Sequence, residues 1–274
     1  MEPPGCGQIT GIDINGEVRG VLPSQDWKRA YYKKREQQKW YAGETISLGI
    51  GQGYNSFTML QLAHATATVA NNGISRKPQL VIATRDASTH ASVAVPADPP
   101  IDLGYKQHNI DVIRNAMVGV TQEGTSRFVF AGAGYLSGGK TGTAQAVGLS
   151  SKGKYNAAKL EEHQRDHSLY IAFAPAQDPQ IAVAVIVENA GFGSAHAAPI
   201  ARRVFDYWLM GQYPNAADMA AVKIGKVGAP AGKPLLAAEV PWPPLPLGTT
   251  ATAPVTTTTP EQLKKPAEAS RAVR

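Results

Sequence analysis

The chain has 274 residues, 43% hydrophobic and 18% charged, a balance that excludes collagen-like and wholly disordered classes. A single cysteine, Cys6, excludes an internal disulfide framework, and no run of about 18 apolar residues is available to span a membrane. Net charge is +6, and the opening MEPPGCGQIT lacks the basic and apolar regions of a signal peptide, so these residues are expected to carry neither export signal nor anchor.

The first fifty residues are rich in glycine, proline and polar residues. Within them WKRAYYKKREQQKWY, 27–41, interleaves basic and aromatic side chains. Nucleic acid or an anionic membrane could bind such a patch, but no DNA- or RNA-binding motif accompanies it. The expectation is a solvated loop or helix whose aromatics pack back on the body. GIGQGYNS, 49–56, is a glycine-rich turn and not the dinucleotide fingerprint.

Met59, Leu62, Ala63, Thr66, Val69 and Ala70 then recur at three- and four-residue steps, predicting an amphipathic helix capped by Ser56 or Thr58 and stopped at Gly73. His64 falls on its polar side. SRKPQLVIATR reads as a short strand and STHASVAVPADPPID as a loop. Ile110, Ile113, Met117 and Val120 predict a second helix that ends near Gly124, and GTSRFVF a loop or short helix. LSSKGKYNAAKLEEHQRDH is polar, with a helical middle. LYIAFAPA and QIAVAVIVEN, joined by Gln177, Asp178 and Pro179, predict a hairpin. The second run is apolar on both faces, which predicts a central, covered strand. APIARRVFDYWLM predicts a helix with Pro199 in its first turn and Ile200, Val204 and Trp208 as its buried stripe. From Gln212 onward lie ten of the twenty prolines and a TTATAPVTTTTP run, so 213–274 is expected to be a disordered tail.

GYLSGGKTGTAQ, 134–145, admits three chemistries around Lys140. As G-x-x-x-x-G-K-T it is a phosphate loop, but such a loop must feed a helix, and Gly142, Thr141 and Thr143 are poor helix material. As S-x-x-K it pairs Ser137 with Lys140, yet residues three apart on a strand point to opposite faces. A second such spacing, Ser151 to Lys154, lies in a polar loop. As K-T-G it fits a strand: Thr141 and Thr143 share a face, Gly142 leaves room for a substrate backbone, and hydroxyls and amides can hold a carboxylate and an oxyanion. His163 and His167 have the spacing of a shared metal on a helix, but no third ligand is evident.

KTGTAQ, the hairpin RDHSLYIAFAPAQDPQIAVAVIVEN, APIARRVFDYWL, and the earlier GIDINGEVRGVLPSQDWK and KWYAGETISLGIGQGYNSFTMLQLAHATATVANNG together resemble the class B penicillin-binding proteins over about residues 7–210. The resemblance implies an α+β, serine β-lactamase-like transpeptidase fold, incomplete in this chain. It is an antiparallel sheet with helices on both faces, occupying 1–212 and followed by the tail. It implies acyl transfer on D-Ala-D-Ala stem peptides of peptidoglycan, mimicked by β-lactams, with no cofactor or metal. Partners are implied among proteins of cell-wall elongation, with no nucleic acid, at the periplasmic face of the inner membrane. Lys140 and Thr141 are implied to bind the substrate carboxylate. Thr143 is implied to add a hydroxyl contact and an oxyanion-hole amide, and Gly142 to give the acyl group space. The family's S-x-x-K and S-x-N or S-x-D motifs are expected to be missing, because Ser24-Gln25-Asp26 matches a polar loop. Two other classes stay open: a non-catalytic interaction module of the cell-wall machinery, and a phosphate-loop protein.

Overall fold

A computed structural model describes residues 7–145, 160–224, 228–236 and 240. The chain begins with two short helices, α1 (Gln25–Tyr31) and α2 (Ala42–Gly49). Ser24 caps α1, its Oγ accepting from the Trp27 amide at 3.0 Å, which gives the S-x-D spacing a structural cause. α3 (Met59–Ala70) starts in a capping box between Thr58 and Gln61. It stops at Gly73, whose φ of 82° only glycine adopts freely, with the Gly73 amide bonded back to the Thr68 carbonyl.

The next stretch departs from the expected strand and loop. It forms two small antiparallel pairs, β1 (Ile74–Ser75) with β4 (Ile101–Asp102) and β2 (Ala83–Arg85) with β3 (Ser92–Ala94). Two- and three-residue strands are too short to show a period, so the sequence pattern hides them. α4 (Gln107–Gln122) follows and buries Ile110, while Ile113 stays exposed. α5 (Arg127–Phe130) is the short helix that GTSRFVF allowed.

The body of the fold is a three-stranded antiparallel sheet, β5 (Gly138–Ala144), β6 (His167–Ala174) and β7 (Ile181–Val187), in the order β5-β6-β7. Register runs unbroken from Gly138↔Phe173 to Ala144↔His167 and from Ser168↔Val187 to Ala174↔Ile181. β7 is therefore an open edge among the described residues, with a strand on one side only. Its two apolar faces have another cause. Val183, Val185 and Val187 pack toward the cluster of Val129, Phe130, Tyr170 and Phe205, while Ala182 packs on the opposite cluster of Ala70 and Phe173. Helices cover both faces of β7, which accounts for the pattern without a second neighbouring strand.

α6 (Ala197–Met210) covers the first face. Its expected stripe is wrong by one helical position: Ile200, Val204 and Trp208 are 38–42% exposed, and Ala198, Ala201, Arg202, Phe205 and Asp206 turn inward. The alanines let the helix approach the sheet closely. The two charged residues can face inward because they satisfy each other. Arg202 Nε reaches both Asp206 oxygens at 2.8 and 2.9 Å, Arg202 Nη1 donates to the Val129 and Ala131 carbonyls, and the Tyr135 hydroxyl donates to Asp206 at 2.8 Å.

Described secondary structure also continues past residue 212. β8 (Gln212–Tyr213) pairs with β9 (Leu235–Leu236), and between them α7 (Ala216–Lys223) is capped by Asn215. Asp218, 1% exposed, is held by Arg203 Nη2 at 2.6 Å and by the Ala231 amide. One buried carboxylate and its arginine fasten this segment, and no apolar period announces them. The threonine-rich run and the expected helix within 149–167 fall largely outside the described residues. Among the described residues no helix is long and apolar enough to cross a membrane.

Candidate active site

β5 carries the four residues singled out in the sequence on the outer edge of the sheet. Lys140 is exposed, and Thr141, Gly142 and Thr143 are half-buried. In an antiparallel ladder, alternate residues turn both backbone groups toward the partner strand or away from it. The Ala174 carbonyl accepts from Gln180 on the β7 side. Counting back along β6, Tyr170 and Ser168 also turn to β7, while Ile171 and Leu169 turn to β5. Their register partners Lys140 and Gly142 close the ladder. Thr141 and Thr143 consequently aim their N–H and C=O groups outward, away from the sheet.

Two side-chain contacts agree with this. Lys140 Nζ donates to the Thr141 carbonyl at 2.6 Å, and Gln52 Nε2 donates to the Thr143 carbonyl at 3.4 Å. The free edge thus presents two outward amides, two hydroxyls on one face and one ammonium group. That set suits an extended chain ending in a carboxylate, or a carbonyl oxygen gathering negative charge.

Neighbouring segments fix this edge. Gln52 brings the 49–56 glycine turn onto it. Thr125, between α4 and α5, places Oγ1 3.1 Å from Thr141 Oγ1. Buried Ser126 bonds the Val120 carbonyl and the Tyr170 hydroxyl. That hydroxyl passes under Gly139, where an added Cβ would lie 2.2 Å from it, so a glycine is required there. Burial raises the Tyr170 phenol to about 12. A Cβ on Gly142 would meet Leu169 Cβ at 3.2 Å, and the 189–196 loop presses Gly193 onto the backbone at the same level. Sequence reading missed Gln52 and Thr125. The only signal for either was an unassigned polar residue beside a glycine, GQG and EGT.

The rival chemistries separate on geometry. Residues after Lys140 continue as β5, not as a helix, so no phosphate loop forms. Ser137 is buried, its Oγ without a partner among the described residues, whereas Lys140 is exposed. Ser151 and Lys154 lie outside the described residues. His163 sits in a 3-10 turn and His167 opens β6, where its Nδ1 accepts from the Asn189 amide, so the two do not share a helix face. Among the described residues no three His, Cys, Asp or Glu side chains converge as a metal site. His64, although on the polar side of α3, is buried and hydrogen-bonded, with Nε2 2.9 Å from the Arg76 carbonyl and 3.1 Å from Ser75 Oγ. In the 27–41 patch Lys28 is buried, paired with Glu44, and placed 5.4–5.9 Å from the rings of Trp40, Tyr41 and Tyr54. Trp27 and Tyr32 pack back on Tyr54 at 5.2 and 6.2 Å between ring centres, while Tyr31 and Tyr41 stay exposed.

A family model described as the penicillin binding protein transpeptidase domain matches residues 1–206. This chain belongs to that family. Among its relatives, the peptidoglycan D,D-transpeptidase MrdA of Acinetobacter baumannii is 41% identical over 215 residues, covering 78% of this chain and 31% of that protein. The structure of Pseudomonas aeruginosa PBP2 in complex with WCK 5153 is 40% identical with a TM-score of 0.58, covering 75% of this chain and 42% of the other. A complex of PBP2 and MreC from Helicobacter pylori is 25% identical with a TM-score of 0.58, covering 76% and 34%. The chain spans about a third of the length of the curated relatives it matches. Within this penicillin-binding transpeptidase domain, β5 and its neighbours are the candidate site.

Proposed function

We propose that this chain supplies the substrate-holding wall of a peptidoglycan D,D-transpeptidase site. The observation that carries the reading is the free edge of β5, with Thr141 and Thr143 turned outward beside the Lys140 ammonium. A stem peptide ending in D-Ala-D-Ala lies along this edge. Lys140 and the hydroxyls of Thr141 and Thr143 take its carboxylate, and the Thr143 amide stabilises the oxyanion formed when the penultimate carbonyl is attacked. Gly142 keeps the strand flat beside the acyl group. A β-lactam enters the same place with its carboxylate on the same hydroxyls.

The attacking serine and its base are assigned to polypeptide outside the described residues, since Ser137 is buried while Lys140 lies on the exposed edge. The site works at the periplasmic face of the inner membrane. The MreC complex of the Helicobacter relative supports elongation-machinery proteins as partners.

Amide-resolved NMR titration of the full chain with N-acetyl-D-alanyl-D-alanine tests this. Thr141, Gly142 and Thr143 should show the largest shifts, and Thr143→Val should weaken binding. Shifts centred on residues 27–41, or tight binding of ATP with magnesium, would contradict it.

A further inference from the structure

We propose that Thr125 is a positioning residue for carboxylate recognition, acting through the hydroxyl of Thr141; this rests on the reading of the β5 edge given above. The two Oγ1 atoms are 3.1 Å apart and Thr125 is exposed. Each hydroxyl has one proton and can accept others. When Thr125 donates to Thr141, the proton of Thr141 is free to point off the strand. An anion at the edge favours this arrangement, because a hydroxyl that is already accepting becomes a stronger donor, and donation to a carboxylate is charge-assisted.

The placement of Thr125 is built into the fold. The residue on its N-terminal side is Gly124, where a Cβ would fall 2.7 Å from Val120 Cα, so the chain turns tightly against the end of α4. The residue on its other side, Ser126, is fully buried. It bonds the Val120 carbonyl at 3.1 Å through both its amide and its hydroxyl, and that hydroxyl also lies 2.9 Å from the Tyr170 hydroxyl. Tyr170 stands opposite Thr141 in the β5–β6 register. A closed path therefore runs from Thr141 across β6, through Tyr170 and Ser126, to Thr125 and back to Thr141. Such a path holds the Thr125 hydroxyl in register with the strand edge. A threonine on an untethered loop would lose rotamer freedom on pairing and hold the contact poorly.

The test titrates the full chain, its Thr125→Val, Thr125→Ser and Thr141→Val variants, and the Thr125→Val/Thr141→Val double variant. The probes are N-acetyl-D-alanyl-D-alanine and its C-terminal amide, followed through backbone amide shifts. Thr125→Val should weaken binding of the carboxylate about five- to tenfold. It should leave the amide-terminated probe unchanged. Thr125→Ser should restore wild-type preference. In the Thr141→Val background, Thr125→Val should add nothing, because the effect passes through Thr141. Wild-type carboxylate preference in Thr125→Val, or additive losses in the double variant, overturns the role of Thr125 and leaves the edge site standing. A wild-type chain that does not distinguish the two probes at β5 overturns both.

Discussion

Replacing Asp206 by alanine removes the acceptor around which α6 is docked. Asp206 is 5% exposed and takes hydrogen bonds from Arg202 Nε, on both oxygens, and from the Tyr135 hydroxyl. Without it, Arg202 keeps the Val129 and Ala131 carbonyls but loses its only ion-pair partner among the described residues at 5% exposure, and Tyr135 keeps its 3.3 Å contact to the Arg202 carbonyl. Removing one member of a buried ion pair costs about 3–5 kcal/mol, because the remaining charge stays desolvated. For a domain of this size each kcal/mol moves Tm by about 2–4 °C, so a fall of about 10 °C is expected. Differential scanning calorimetry of wild type, Asp206→Ala and Asp206→Asn reads this directly. Asparagine keeps an oxygen for Arg202 and Tyr135 and should fall between the two. A melting point for Asp206→Ala within about 2 °C of wild type would refute the inward placement of Arg202 and Asp206.

Burial holds the His64 imidazole below the usual histidine range, opposed by the Arg76 carbonyl and the Glu17 charge. The unfolded chain then binds a proton that the folded chain excludes, so stability is constant above about pH 7 and falls as pH drops below about 6.5. Urea melts from pH 7.5 to 5 should show that limb, and His64→Gln should flatten it. Exposure to a fluorescent penicillin should leave the isolated chain unlabelled by intact mass, since Ser137 is buried away from the exposed Lys140, and Ser75, which lies 3.1 Å from His64 Nε2, is itself buried; an adduct on any serine would overturn the assignment of the nucleophile to other polypeptide. Tyr213 and α7 should resist limited proteolysis, and Asp218→Ala should release them to cleavage; early cleavage at 213–224 in the wild type would instead support a boundary at 212.

The strand nature of the Lys140 segment was legible because Gly142 and the alternating threonines disfavour a helix, and that alone separated the three chemistries. The hairpin was legible from its β-branched runs and turn residues. The stripe of α6 was not, because periodicity assigns charged residues to solvent, and Arg202 and Asp206 pair inside instead. The same assumption hid α7, whose anchor is the Arg203–Asp218 pair. The two apolar faces of β7 report the helices above and below it and say nothing of how many strands flank it. Thr125 and Gln52 left no sign of their role beyond a polar residue beside a glycine. Each meets β5 across 16 and 91 residues respectively, and nothing local records that meeting.

Amide hydrogen exchange across β5 tests the central claim most directly. Lys140 and Gly142 face β6 and should exchange slowly with or without ligand, whereas Thr141 and Thr143 face outward and should exchange fast in the free chain. Saturation with N-acetyl-D-alanyl-D-alanine should slow Thr141 and Thr143 and leave the other two unchanged. Thr141 and Thr143 amides protected to the level of Gly142 in the free chain, or unaffected by the peptide at saturation, would contradict the account.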